Sequence, residues 1–469
     1  MLESIKKNFS SERRVWDEEA AKEQPMIGVE ERPKTWWESI LYGWQHTLVD
    51  TSPFVLPLVV GQALGFSPAQ NAAFVSVNLF ASAIATLIMT TIGNRLPLVQ
   101  GTSAVHTGTM ASIGGLYGAG AMWGAVVFGA VIQMILGVFG FFGALRKFFP
   151  VTVAGVVVVS IGVSLGFLAS QWMIGDGSST NFILAGITLL IIFFLQVACR
   201  KIGGGILARA SIFISIIIAG LFIGSAFGMV DWTLIQEEPW FRLPTFFPWG
   251  APIEAGTLAW PLVGGAMLGI LSGYLAATVE SIGDYAAVCT ASGEDYKVKH
   301  MNRGVFAEGL GTIVAAAFGS MPKTSYTQNV GIIATTKIAS RFVVQIAAIF
   351  LALYGLIPKF GAIIVAIPDP VIGAVFVVIT GSIVVSGLKL VQSGESTPAN
   401  NLLLGTVLII SITVPAHVEG QEWVEELSPM MQTVLTNEIV LAVLSGVIIN
   451  LLLNHIFGKK EEKEQEAKS

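Results

Sequence analysis

Charge is what this sequence has least of. Only 12% of its 469 residues are Asp, Glu, Lys or Arg, against 53% apolar ones, where a soluble domain carries about a quarter charged residues. A soluble fold of this length has no interior large enough to hide that share, so a water-soluble globular protein is excluded. Cysteine is nearly absent: Cys199 and Cys289 alone define neither a disulfide framework nor a metal site. A nucleotide-binding P-loop is missing, which removes an ATP-driven engine from this chain. Neither a zinc-protease HExxH nor a cysteine-nucleophile setting lies in an apolar run, and the chain is not read as an enzyme. Lys and Arg are scarce in two places, 230–261 and 416–437, where acidic residues collect instead.

What the chain has is length in its apolar runs. Stretches of about 20 residues, each able to cross a hydrocarbon core of about 30 Å, recur from Trp36 to Phe457. The reading is an all-α polytopic membrane protein. The charged start MLESIKKNFSSERRVWDEEAAKEQP has no apolar signal core, so 1–37 is expected to be a solvated cytoplasmic tail, as is 458–469.

Apolar runs centre near residues 50, 82, 130, 160, 190, 218, 275, 348, 380, 408 and 447, with 97–118, 303–319 and 326–338 less clear. Basic residues cluster at Lys6 to Lys34, Arg95, Arg146–Lys147, Arg200–Lys201–Arg209, Lys297–Lys299–Arg303, Lys337–Arg341, Lys389 and Lys459–Lys460. With those clusters on the cytoplasmic side, parity demands an even number of crossings between Arg95 and Arg146, and between Arg303 and Arg341. The three unclear segments therefore count as crossings and the total becomes 14, with Lys359 left outside. Two of these crossings are odd. PLVQGTSAVHTGT opens one and SMPKTSYTQNVGIIATTK the other, with Gly, Ser, Thr and amides where a plain helix would be greasy. Irregular backbone at membrane depth survives only where protein or a polar cavity satisfies its N–H and C=O groups.

The two odd crossings sit at matching places in two halves, 38–229 and 262–457, separated by an external loop at 230–261. Each half then shows a proline-led run, FFPVTVAGVVVVSIG and AIPDPVIGAVFVVITG, with Pro150 and Pro368 each five residues before Gly155 and Gly373. Seven crossings per half makes the repeat inverted. Inverted repeats with interrupted helices are a signature of secondary transporters.

Ionisable residues inside apolar runs are few, and each is a functional candidate because placing one there costs about 2.5–3.5 kcal/mol. They are His46 beside Gln45 in GWQHTLVD, His106 in the first odd crossing, Glu280 and Asp284 in VESIGDY, and Glu308 in NRGVFAEGLG. Glu280 and Asp284, four apart, share a helix face. No intramembrane Lys or Arg is expected to pair with Glu280. Asp50 is placed near the outer end of the first crossing, and Trp240 and Trp249 in an interfacial belt.

Gln328, Asn329, Gly331, Thr336 and Lys337 fit the signature Gln/Glu/Pro-Asn-x-Gly-x4-Thr-Arg/Lys/Gly. Together with Gln45–His46, ESIGD at 280–284, NRGVFAEGLG and PDPVIGA, they make the chain resemble the nucleobase–ascorbate transporter family over about 38–457. The resemblance implies a seven-plus-seven inverted repeat of 14 spans. Spans 1–4 and 8–11 would form a core and spans 5–7 and 12–14 a gate, with short antiparallel strands in spans 3 and 10. It implies that Glu280 accepts from ring N–H groups and Gln328 reads the other edge. Backbone near Ala104 and Asn329–Gly331 would complete the site, with Asp284, Glu308, His46 and Gln45 in proton coupling or support. The function implied is proton-coupled, elevator-like symport of xanthine, urate or a related purine. Uracil or ascorbate transport, the latter coupled to Na⁺ or H⁺, and an anion exchanger of the related sulfate-transporter fold are the alternatives. No cofactor beyond the coupling ion is implied. The partners are the substrate, the bilayer of the cell membrane and a second copy, and no nucleic acid. Two features depart from branches of the family: Ala104 stands where many uracil-type members carry an aromatic residue, and Gln328 where the ascorbate branch usually has Pro.

Overall fold

The computed structural model describes residues 2–15, 24–49, 51–140, 149–199, 201, 207–208, 210–247, 253–254, 257–258 and 261–457. Asp50, Trp249, the basic residues Arg146, Lys147, Arg200, Arg209, Lys459 and Lys460, and the tail 458–469 lie outside the described residues. The first half runs α1 (Leu2–Ser10), α2 (Trp36–Leu48), α3 (Ser52–Ala63), α4 (Pro68–Thr91), β1 (Gln100–Thr102), α5 (Ala104–Phe139), α6 (Val151–Ile174) and α7 (Ser179–Phe194). Short helical segments and a hairpin of β2 (Ile253–Glu254) and β3 (Thr257–Leu258) lead into the second. That half contains α8 (Gly264–Ala291), α9 (Val298–Ala317), β4 (Lys323–Ser325), α10 (Thr327–Thr336), α11 (Arg341–Leu356), α12 (Pro358–Val365) and α13 (Asp369–Gln392). It ends with α14 (Pro398–Val418), α15 (Pro429–Thr436) and α16 (Glu438–Asn450).

Among the described residues seven helices are long and apolar enough to cross a membrane, or nine if two bent pairs each count as one crossing. The bends have local causes. α11 meets α12 at 76° where Pro358 cannot continue the preceding helix, and α15 meets α16 at 84° where Asn437 caps the new one. The first apolar run, expected as one helix, is two: α2 stops at Leu48 and α3 starts again with Pro53 in its first turn. Helix α7 leaves Phe182, Leu190, Phe193 and Phe194 exposed, as a lipid-facing helix does.

Helix α5 is too long for one crossing and is not straight. Gly118 takes φ 80°, ψ 168°, outside the helical region. The Tyr274 ring touches both arms: the His106 ring packs edge-on at 4.4 Å, and the Tyr274 hydroxyl donates to the Val126 carbonyl at 2.9 Å. In one straight helix His106 and Val126 would be about 30 Å apart, so the chain folds back at Gly118. The fold-back divides 104–117 from 119–139, where the charge pattern had divided two crossings.

The two proline-led helices pack against each other. A Cβ on Gly155 would lie 2.7 Å from Val391 N, one on Gly162 2.9 Å from Val384 N, and one on Gly373 2.1 Å from Met173 N. Partners fall in number as residues rise along α6, so α6 and α13 are antiparallel and separated by little more than glycine. Gly155 meets Val391 as Gly373 meets Met173, and one displacement along the chain carries each member of the first pair onto a member of the second. Residues 162–166, Gly-Val-Ser-Leu-Gly, match the GxSxG pattern of serine hydrolases. They lie inside α6, whereas a nucleophile elbow needs a strand-to-helix turn; they serve this packing.

Lys359, the basic residue that the charge pattern leaves outside, donates to the carbonyls of Ile235 (2.7 Å) and Gln236 (3.2 Å) at the end of a short helix. Its charge is spent on a helix C-terminus.

The N-terminal segment is not simply solvated, contrary to expectation. Val298 N donates to Arg13 O (2.8 Å) and Val15 N to Tyr296 O (2.9 Å), while Glu12 pairs with Lys297 (2.7 Å) and with Lys299. Farther on, Met26 N donates to Lys337 O (2.7 Å), Arg341 N to Val29 O (3.0 Å), and Glu30 binds Arg95 and Arg341. The two lysines hold the Glu12 carboxyl down from an ordinary 4.5 to about 2. A depressed carboxyl stabilises its contact fully above 4.5 and loses it as pH falls toward the lowered value. A spin label at Ser10 is therefore expected to keep constant mobility from pH 8 to about 5 and loosen only below. Glu12→Gln is expected to loosen it at pH 7, and identical spectra for the two proteins would contradict the tether.

Candidate functional site

The odd segments of the two halves meet as a strand pair. β1 and β4 are antiparallel, with Gln100 opposite Ser325, Gly101 opposite Thr324 and Thr102 opposite Lys323. Each strand is bracketed by a threonine from the preceding helix. Thr86 accepts from Gln100 N (2.9 Å) and donates to Gln100 O (3.2 Å); Thr312 accepts from Lys323 N (3.0 Å) and donates to Lys323 O (3.4 Å). Every residue of both strands is buried, so these bonds meet the demand that backbone groups away from water be paired. A Cβ on Gly101 would fall 2.2 Å from the Tyr326 ring, whose hydroxyl donates to Thr102 O at 2.7 Å. Only glycine fits there.

The chain leaves the pair at opposite ends, which three-residue strands place about 7 Å apart. Past β1, Ala104 opens α5; past β4, Gln328 lies in the first turn of α10. Neither Ser103 nor Tyr326 caps its helix through the side chain, and in α10 Asn329 N donates instead to the Tyr326 carbonyl at 3.3 Å. Ala104 is half-buried, whereas Gln328 and Gly331 are exposed. Asn329 is fully buried, and its amide nitrogen lies 2.9 Å from His46 Nδ1 and donates to His46 O at 3.2 Å. His46 thus ties α2 to α10. Gln45, beside it, is also buried. Thr336 donates to Ile332 O (2.8 Å), and Lys337 ends α10 in the left-handed conformation (φ 60°).

The acids divide into two groups. Glu280 and Asp284, one turn apart on α8, line a cavity of about 680 Å³ between α8 and α13, which also touches Ser386, Lys389, Asn8 and Arg13. That volume is in the range of small-molecule sites. Gln328 does not line it, and no hydrogen bond among the described residues joins Gln328 to Glu280. Glu308 is instead buried behind the strands. Its Oε1 accepts from Ser325 N (3.1 Å) and Ser325 Oγ (2.7 Å), and its Oε2 from Gln133 (3.2 Å). His106 is buried, with Nδ1 2.8 Å from Ser103 Oγ.

Sequence reasoning missed a buried cation. Lys323 is 1% exposed and donates to Asn78 O (3.1 Å), Asn78 Oδ1 (3.1 Å) and Thr102 Oγ1 (3.3 Å). Lys389, in the last turn of α13, also lines the cavity of Glu280. The signal was a lone lysine in SMPKTS, inside a segment already required to cross the membrane.

The sequence model described as "Permease family", that of the xanthine and uric acid permeases, matches residues 37–420. The chain belongs to the nucleobase–ascorbate transporter family. It is similar to the uric acid permease PucK of Bacillus subtilis, 32% identical over 384 residues, or 78% of this chain and 84% of that protein. It is similar also to the nucleobase transporter PlUacP of Paenibacillus larvae, 30% identical over 91% of this chain and 96% of that one. Among solved structures, the transmembrane domain of the cyanobacterial bicarbonate transporter BicA aligns with TM-score 0.56 at 14% identity. The alignment spans 90% of this chain and 99% of that domain, a likeness of fold. The protein is a multi-pass membrane permease and not an enzyme.

Gly101→Ala tests the strand pair. Forcing a methyl into the Tyr326 ring is expected to cost about 1–3 kcal/mol, read as a lowered melting temperature of the detergent-solubilised protein. Unchanged melting would mean that the close approach is not held in solution.

Proposed function

We propose that this permease is a secondary active transporter that carries a purine-type nucleobase, xanthine, urate or a close relative, by proton symport. The observation that carries the reading is the strand pair: it brings one helix start from each half, at Ala104 and at Gln328, to a single place. In the reading, Glu280 accepts from ring N–H groups and Gln328 offers its amide as donor and acceptor to the other edge. Backbone at Ala104 and Asn329–Gly331 completes the set, and His46 holds Asn329 in place. An imide or lactam edge alternates N–H and C=O groups, which a Glu–Gln pair can meet. Gln328, rather than a second Glu or a Pro, favours a purine over uracil or ascorbate. The names of the related uric acid permease and nucleobase transporter agree with this choice.

Fourteen crossings in a seven-plus-seven inverted repeat are part of the reading. Three pseudo-equivalent features support them: the antiparallel strands, the bracketing pair Thr86 and Thr312, and the antiparallel α6 and α13 with their exchanged glycine contacts. The core would comprise spans 1–4 and 8–11 and the gate spans 5–7 and 12–14, moving past each other like an elevator. The cavity between α8 of the core and α13 of the gate suits that division. Its rim carries Arg13 and Lys389, on the side that the positive-inside rule makes cytoplasmic, so the conformation reads as inward-facing. Asp284 and Glu308 would support proton coupling, both termini would lie in the cytoplasm of a cell-membrane protein, and two copies would pair.

Uptake of radiolabelled xanthine, urate, uracil and ascorbate into proteoliposomes, under a proton or a sodium gradient, tests the proposal. Purine uptake driven by an inward proton gradient is expected, and sodium-driven uptake of ascorbate alone would overturn it. Glu280→Gln replaces the acceptor carboxylate and is expected to lower kcat/KM by about tenfold or more; wild-type transport by that variant would remove Glu280 from the site.

A further inference from the structure

Lys323 has no part in the signature motif, in the family resemblance or in the scheme above, yet it is among the largest fully buried side chains of the protein. An ammonium has three donors, and Asn78 O, Asn78 Oδ1 and Thr102 Oγ1 lie within reach of them. Asn78 Oδ1 is a shared acceptor, taking also Ser320 Oγ (2.9 Å), Met321 N (3.1 Å) and Thr102 Oγ1 (3.3 Å). The node thus joins α4, β1 and the segment that leads into β4. Gln100 occupies the corresponding first place on β1, and its amide crosses the pair in the opposite sense to donate to Ser325 Oγ at 2.7 Å. The strands are therefore closed by two side-chain cross-links, one neutral at Gln100–Ser325 and one carrying a charge at Lys323–Thr102. Charge-assisted hydrogen bonds are the stronger kind, and an apolar replacement would leave the buried Thr102 hydroxyl oxygen without the donor it accepts from.

We propose that Lys323 is a positioning residue for transport: its ammonium sets the register and spacing of β1 and β4. It thereby sets the distance between the helix starts at Ala104 and Gln328. The inference rests on the reading of those helix starts as the substrate site. Lys323 does not itself contact the substrate; it acts through Thr102, one residue before the cap of α5, and through its own strand, which runs on into α10. Its loss loosens the grip on the ring and leaves the carrier able to turn over.

The test uses the full chain, wild type and Lys323→Met, Lys323→Gln and Lys323→Arg, with Lys323→Gln serving should Lys323→Met fail to insert. Hydrogen exchange of residues 100–102 and 323–325 is measured without ligand, and KM and Vmax for xanthine and urate are measured in proteoliposomes. Exchange in both strands is expected to rise about tenfold or more in the Met or Gln variant. KM is expected to rise about tenfold while Vmax stays within about twofold. Arginine, which keeps the charge and the donors, restores KM to within about threefold of wild type. Unchanged strand exchange, or raised exchange with an unchanged KM, overturns the proposal. If wild-type protein takes up neither purine, it is the functional reading that fails, and the exchange measurement still judges the cross-link.

Discussion

Six residues of buried strand, three from each half of a mostly helical protein, are the constraint on which this structure depends. Lipid offers no hydrogen bonds, so strands at membrane depth persist only if each amide and carbonyl finds a partner. β1 and β4 find theirs in one another and in Thr86 and Thr312. Because one strand comes from each half, neither half can complete the arrangement alone. The pairing makes the two halves a single unit, and it draws the helix starts that follow them into one place.

The frame is nearly symmetric and the chemistry hung on it is not. On the first-half side, Asn78 receives Thr102 and the Lys323 ammonium; on the second-half side, Glu308 receives Ser325. A cation thus sits at one end of the strand pair and a carboxylate behind the other. Glu280 and Asp284 belong to second-half α8, and the cavity they face is lined also by Gly140 and Val151 of the first half. In the proposed reading, two matching helix starts with unequal side chains around them would offer two different edges to an unsymmetrical ring.

Much of this was legible in the sequence because membrane constraints are severe. Parity of the basic clusters required two crossings between Arg95 and Arg146, and the fold-back at Gly118 divides the helix there. Glycine five residues after proline marked α6 and α13, which do pack against each other. Other features depend on tertiary partners that no local pattern encodes. Glu308 was expected among the coupling residues without any hint that it would be wired to Ser325. Lys323 was passed over because a lysine near a break reads as a loop residue until Asn78, far away in sequence, closes on it. The N-terminal segment read as solvated because charged residues usually are; its partners Lys297 and Lys299 lie far along the chain.

The central claim is that a purine ring is read between the helix starts that the strand pair brings together. A structure of the protein determined with bound xanthine or urate tests this most directly. The ring is expected within about 3 Å of both Glu280 and Gln328, flanked by backbone at Ala104 and Gly331. Purine held elsewhere, at the rim beside Arg13 and Lys389 and out of reach of Gln328, would contradict the account.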